Sequence, residues 1–241
     1  MVTRRKEGVP GLLATVMIVV LAACSSPGND AQPERSGPTA TPDQTSTPTP
    51  VPSSGALEPG TYAFGTLDPD FDASYRITME VPDGYEGFEG WGVFQPGKGQ
   101  GISAWVVGNV YADPCHWIGT LPDPPVGSSV DGLVAALASQ KEHPASKPTE
   151  VTVGGFTGKQ LETTVPRGID LADCDNGQFR AWVDTTFQGA RWLQPGQRDL
   201  LWIIDVSGVP LVIDVALGRR TSPQDRAERL QIVESIRIEP L

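Results

Sequence analysis

The stretch Leu200-Leu201-Trp202-Ile203-Ile204-Asp205-Val206-Ser207-Gly208-Val209-Pro210-Leu211-Val212-Ile213-Asp214-Val215-Ala216-Leu217 decides the fold. Two apolar runs flank Ser207-Gly208, a spacing that reads as antiparallel strands joined by a two-residue turn. Such a turn fixes the register, pairing 206 with 209, 204 with 211 and 202 with 213. Side chains alternate across a strand, so Trp202, Ile204, Val206, Val209, Leu211, Ile213, Val215 and Leu217 fall on one face. The other face carries Leu201, Ile203, Asp205, Pro210, Val212 and Asp214, and is partly polar.

Working outward, Ser222-Pro223-Gln224-Asp225 starts a helix with Pro at its first position, and Ala227, Leu230 and Val233 are its expected inner stripe. Residues 236–238 close as a short strand. Upstream, 61–64, 75–81, 91–95, 102–107, 151–153, 157–165 and 179–187 read as strands, separated by turn signals such as Pro82-Asp83-Gly84. Ser128-Ser129-Val130-Asp131 caps a second helix, with Val130, Leu133, Val134 and Leu137 at helical spacing, ending before Pro144. The pattern is an α+β domain, an antiparallel sheet with two or three packed helices.

All 17 aromatic residues lie between Tyr62 and Trp202, so the first 56 residues contribute no ordinary core. Residues 25–56 are rich in Pro, Ser and Thr, and Val51 is their one large aliphatic. Such a stretch buries too little apolar area to offset its ordering entropy and is expected to be a disordered tether. The division is therefore 1–23 as a secretory signal, 24–56 as tether, and 57–241 as one extracytoplasmic domain. The signal follows from Arg4, Arg5 and Lys6 ahead of an apolar run over 12–23, which is too short to span a bilayer. A net charge of −11 excludes nonspecific nucleic-acid binding.

Leu21-Ala22-Ala23-Cys24 resembles the lipobox of bacterial lipoproteins. The resemblance implies cleavage before Cys24, diacylglycerol on its sulfur, N-acylation (palmitate) in some bacteria, and a place on the outer face of the cell membrane. The layout of 60–241 is similar to the Mog1/PsbP-like sandwich. Tyr111-Ala112-Asp113-Pro114-Cys115, Pro195-Gly196-Gln197-Arg198-Asp199 and Ser235-Ile236-Arg237-Ile238 resemble phrases of anchored actinobacterial proteins. Neither likeness carries a catalytic motif. With Cys24 acylated, Cys115 and Cys174 remain as an even pair in an oxidising compartment, and a disulfide is the natural assignment. A metal or nucleophile site at Cys115-His116 is disfavoured, because neighbouring strand residues point to opposite faces and no CxxC or HxxH spacing is present.

Other chemistry is sparse. Gly154–Lys159 lacks the spacing and the Ser/Thr of a P-loop. Asp170, Asp173 and Asp175 gather oxygens that could interest Ca²⁺, but not in the order of an EF-hand loop. Asp205 and Asp214 share a face yet stand about 13 Å apart along it, at ~3.3 Å per residue, too far for glycosidase carboxyls. Of the two imidazoles, His143 reads as a surface residue and His116 as the better base, with Asp113 nearby. Trp117 and Trp192 are candidates for stacking on sugar rings. No cofactor is expected. The expected function is noncatalytic: a lipid-anchored domain that binds an envelope protein or glycan. The alternatives are an envelope hydrolase using His116 and a calcium-assisted adhesion module.

Overall fold

The computed structural model describes residues 47–241. The signal segment, Cys24 and the tether up to residue 46 lie outside the described residues. The strands are β1 (Thr49–Pro50), β2 (Ser54–Ala56), β3 (Gly60–Phe64), β4 (Tyr75–Val81), β5 (Glu86–Phe88), β6 (Gly92–Gln95), β7 (Gln100–Val110), β8 (Thr149–Val153), β9 (Phe156–Thr164), β10 (Phe179–Asp184), β11 (Ala190–Leu193), β12 (Arg198–Val206), β13 (Val209–Leu217) and β14 (Arg237–Pro240). The helices are α1 (Pro69–Ser74), α2 (Val130–Ala138) and α3 (Pro223–Glu234).

The quoted hairpin forms β12 and β13 in the register its turn demands, with Val206 opposite Val209, Ile204 opposite Leu211 and Trp202 opposite Ile213. Ser207 and Gly208 both take positive φ, 54° and 92°, as a turn matching the strand twist requires. The Asp205 carboxylate accepts from Gly208 N at 2.5 Å and steadies that turn. A large sheet grows outward in the order β2-β5-β6-β7-β13-β12-β9-β8, with β10 on β7 and β11 on β10. A smaller sheet runs β1-β3-β4-β14. Apart from the parallel β1–β3 pair, neighbouring strands are antiparallel.

Two cores follow from the two faces of the large sheet. On the first face Ile102, Trp202, Ile204 and Ile213 pack with Phe64, Ile77 and Met79 of the small sheet and Ile232 and Val233 of α3. On the second, Leu161, Leu201, Ile203 and Val212 pack with Leu133 and Leu137 of α2 and with Phe179 and Trp182 of β10. The second face of the hairpin is thus a core. Its Asp214 is buried and only Asp205 is exposed.

The expected cap of α3 forms, whereas α2 is capped by Ser129 alone and not by a Ser128–Asp131 box, the Asp131 carboxylate pairing with Lys159 instead. Ser129 accepts from Gly132 N at 3.1 Å, and Ser222 and Asp225 make a reciprocal capping box. The stripe of α3 is shifted from the expected one: Ala227 is exposed, and Arg229, Ile232 and Val233 are buried. The Arg229 guanidinium donates to Asp225 O and Gln95 Oε1, so a hydrogen-bonded cation lies on the buried face of the helix, where apolar periodicity expects none.

The N-terminal boundary also moves. Residues 49–56 join the sheets instead of belonging to the tether: Thr49 pairs with Tyr62, Gly55 with Gly87, and Val51 N donates to Ala63 O. Val51 is 5% exposed. A segment poor in apolar side chains can still satisfy its backbone on a sheet edge. Gly87 permits the approach, since a Cβ there would lie 2.7 Å from Pro52 O. The helix α1 is a further addition, started by Asp68, whose carboxylate accepts from Phe71 N at 2.7 Å, with Pro69 at its first position.

Candidate functional site

The loop after β7 and the loop before β10 are held together by a disulfide between Cys115 and Cys174, with the sulfurs 2.02 Å and the Cα atoms 4.5 Å apart. Backbone bonds reinforce the junction: Asp175 N donates to Cys115 O and Arg180 N to Pro114 O, both at 2.8 Å. Around it gather most residues that the sequence singles out. Trp117 Nε1 donates to Asp175 O at 3.0 Å, and Ile118 N to the Asp175 carboxylate at 2.9 Å. Asp113 accepts from the backbone N–H groups of Cys115 and His116 and from Lys141 Nζ. Partial burial raises its pKa, but these donors prevail and hold it below the ordinary carboxylate value.

The organising cation is Arg180, which composition gave no reason to select. Its guanidinium carbon lies 3.7 Å from the centre of the Trp117 ring and 5.8 Å from that of Trp192. Nε and Nη2 both donate to Gln178 Oε1, at 2.9 and 2.6 Å, which fixes the plane. Arg180 and Trp192 are directly paired residues of β10 and β11, so the strand register places indole beside guanidinium. Trp192 is 54% exposed, leaving an aromatic surface backed by a fixed positive charge.

The other candidates are placed as follows. His116 is exposed, its Nδ1 3.6 Å from Asp113. His143 is a core residue and not a surface one: it is 1% exposed, Nδ1 lies 2.8 Å from Gln140 Oε1, and its ring stands edge-on to Phe179. Burial, aided by the nearby Arg191 charge, lowers its pKa to about 4, so it is neutral near pH 7. The calcium candidates do not converge. Asp170 caps a short helical turn by accepting from Ala172 N, Asp175 accepts from Ile118 N, and no group of three His, Cys, Asp or Glu side chains suited to a metal occurs among the described residues. Gly154-Gly155 is the β8–β9 hairpin turn, both glycines at positive φ.

A second charged cluster is absent from the sequence reading. Arg191 of β11 reaches over the large sheet, Nε to Asp214 Oδ2 at 2.5 Å and Nη2 to Asp199 Oδ1 at 3.3 Å. Asp199 and Asp214 are each 1% exposed. Burial, and for Asp199 the Asp214 charge as well, raises both carboxyls above the ordinary range, while Arg191 opposes the rise. Gln197 Nε2 also donates to Asp199, at 2.7 Å. The carboxylate partner of Asp214 is therefore Asp199, diagonal to it across β12–β13, and not Asp205.

No family model and no curated protein matches the chain. Among solved structures it is similar to the solution structure of cyanobacterial PsbP (CyanoP) from Synechocystis sp. PCC 6803, at 10% sequence identity and a TM-score of 0.36, covering 77% of this chain and 95% of that one. The α+β class rests on the strand order and helices described above. No helix among the described residues is long and apolar enough to cross a membrane.

Proposed function

We propose that the chain is a noncatalytic binding domain, lipid-anchored through Cys24 on the extracytoplasmic face of the cell membrane, which engages an envelope glycan through Trp192, Arg180 and Trp117. The single observation that carries the binding reading is the guanidinium lying 3.7 Å over Trp117 beside an indole that is 54% exposed. An open indole face stacks on the apolar face of a sugar ring, and the adjoining cation favours sugars bearing carboxylate or phosphate. The anchor reading is supported by the lipobox-like Leu21–Cys24 and by a mature chain of 15 basic against 28 acidic groups. An anionic surface repels such a body, so attachment needs a lipid.

A hydrolase would need a base beside a nucleophile. His116 faces Asp113, which is already committed to Lys141 and two backbone N–H groups. His143 is sealed from solvent. The test has two arms. Cys24→Ser should move the protein from the carbonate-washed membrane fraction to the soluble one, and unchanged membrane recovery would refute the anchor. Trp192→Ala should weaken retention on purified cell-wall polysaccharide by about tenfold, the upper end of one aromatic stacking contact. Equal retention would refute the stack as the site.

A further inference from the structure

The second face of the large sheet is only partly covered. Over β5, β6 and the start of β7 it opens as a cleft of about 310 Å³, with Phe88, Trp91 and Phe94 on one side and Arg191 and Gln197 on the other. We infer that this cleft binds a small uncharged molecule with a flat apolar body and one carbonyl oxygen, which accepts from the Trp91 indole N–H.

Strand pairing builds the floor. Phe88 lies opposite Gly92, Gly92 opposite Ser103, Phe94 opposite Gly101 and Gly101 opposite Ala216. Directly paired residues share a face, and Ser103 is paired in turn with Asp214 of the second face. Gly92, Gly101 and Ala216 put nothing larger than a methyl group there, so a flat floor lies beside an aromatic wall. Phe88 stands edge-on to Trp91 at 5.0 Å and to Phe94 at 6.2 Å, and Trp91 edge-on to the buried Trp105 at 4.7 Å. Phe88 is nevertheless 41% exposed, a large ring held at a rim. Ligand clefts run from about 300 to 1,000 Å³, so this one suits a molecule of two fused rings.

The polar side chains around the cleft are committed elsewhere, with one exception. Arg191 donates to Asp214, Asp199 and Trp192 O. Gln197 donates to Asp199 and accepts from Gln194 N. Ser103 Oγ accepts from Trp105 Nε1 at 2.8 Å, and its hydroxyl opposes the rise of the Asp214 pKa. Gln100 is paired with Gln95, whose side chain meets Arg229 of α3, so its own side chain lies on the α3 face and not in the cleft. Trp91 Nε1 is the exception: it is shut off from water and has no acceptor among the described residues. A donor in that state is destabilising, and a bond made to it meets no competition from solvent. Indole nitrogen donates and cannot accept, so the ligand atom it selects is an acceptor. Charge is excluded from both sides, since the Asp199 and Asp214 carboxylates disfavour an anion and the Arg191 guanidinium disfavours a cation.

The experiment is equilibrium dialysis of the full mature chain against coumarin, an uncharged fused-ring lactone with a carbonyl and no donor, against naphthalene, which lacks the acceptor, and against coumarin-3-carboxylate. The expected result is saturable one-to-one binding of coumarin, at least about tenfold tighter than its carboxylate. Trp91→Phe keeps an aromatic wall and removes the N–H; it should weaken coumarin about tenfold, one hydrogen bond's worth, and naphthalene by less than about twofold. Phe88→Ala, at an exposed position, should weaken both about fivefold, one aromatic contact. If Trp91→Phe does not fold, the indole N–H resonances of the ¹⁵N-labelled wild type decide: one should move downfield with coumarin and not with naphthalene. Absence of saturable coumarin binding, preference for the carboxylate, an equal effect of Trp91→Phe on both uncharged probes, unchanged affinities in Phe88→Ala, or no such resonance shift would each overturn the inference. Retention on wall polysaccharide should be unaltered in these variants, which separates the cleft from the Trp192 face.

Discussion

Replacing Arg191 with Met removes one charge and strands two. Nε and Nη2 of Arg191 contact Asp214 and Asp199 at 2.5 and 3.3 Å, and both carboxylates are 1% exposed. Breaking a buried pair by deleting one partner costs about 3–5 kcal/mol, a large part of a typical stability of ~5–15 kcal/mol. The loss should depend on pH with a definite sign. Burial already lifts both carboxyls above their unfolded value of 3.8, and loss of the cation lifts them further. A group whose folded pKa is raised has its stabilising contribution fully present below the unfolded value, and loses it as pH rises through the folded one. The Arg191→Met deficit should therefore be greatest near pH 8 and shrink toward pH 5, where the carboxyls are neutral. Urea unfolding of both proteins at pH 8, 6.5 and 5 measures it. Asp199→Asn in the Arg191→Met background should recover part of the loss at pH 8. A deficit below about 1 kcal/mol at pH 8, or one that grows on acidification, would refute the account of a cation holding two sealed carboxylates.

Three further outcomes are expected. Reduction of Cys115–Cys174, separated by 59 positions, should destabilise by roughly 4 kcal/mol on the chain-entropy view, read as a fall in melting temperature, with Trp192-dependent binding kept below the new transition. His143, with its pKa lowered to about 4 by burial, contributes stability that is present above its ordinary value of 6.5 and is lost as pH falls to 4. Relative to His143→Gln, the wild type should lose about 3 kcal/mol over that window in urea titrations. A chain starting at residue 47 should melt higher than one starting at 57, because the shorter one loses β1, β2 and the burial of Val51, worth about 1.5–3 kcal/mol for the side chain alone; equal melting temperatures would contradict the pairing of 49–56.

The hairpin of β12 and β13 was readable residue by residue because a two-residue turn and a period of two leave one register open. The start of α3 was readable because Ser222, Pro223 and Asp225 are themselves the cap, and the disulfide followed from parity and compartment. The misses have physical causes. Asp199 falls diagonal to Asp214 in the predicted register, but Arg191 arrives from β11, whose pairing with β10 shifts between Arg180 and Val183, so no spacing announces it. His143 precedes a proline and looks like a loop residue, whereas Gln140 and Phe179 seal it. Composition places residues 49–56 in the tether because it counts side chains and ignores backbone donors and acceptors. Arg180 joined Trp117 and Trp192 only through a strand pairing and a loop held by the disulfide.

Three of the domain's indoles form a string across the second face of the large sheet. Trp91 lies 4.7 Å from Trp105, which lies 5.9 Å from the sealed Trp182, each pair edge-on. Three indoles at these separations share their electronic excitation, so light absorbed by one is not absorbed by it alone. The far-ultraviolet circular dichroism of the domain should carry an exciton couplet superposed on the signal of its strands. Secondary structure fitted to that spectrum would misstate the strand content, while the couplet itself would lose intensity as soon as the second core loosened, ahead of any change in the backbone.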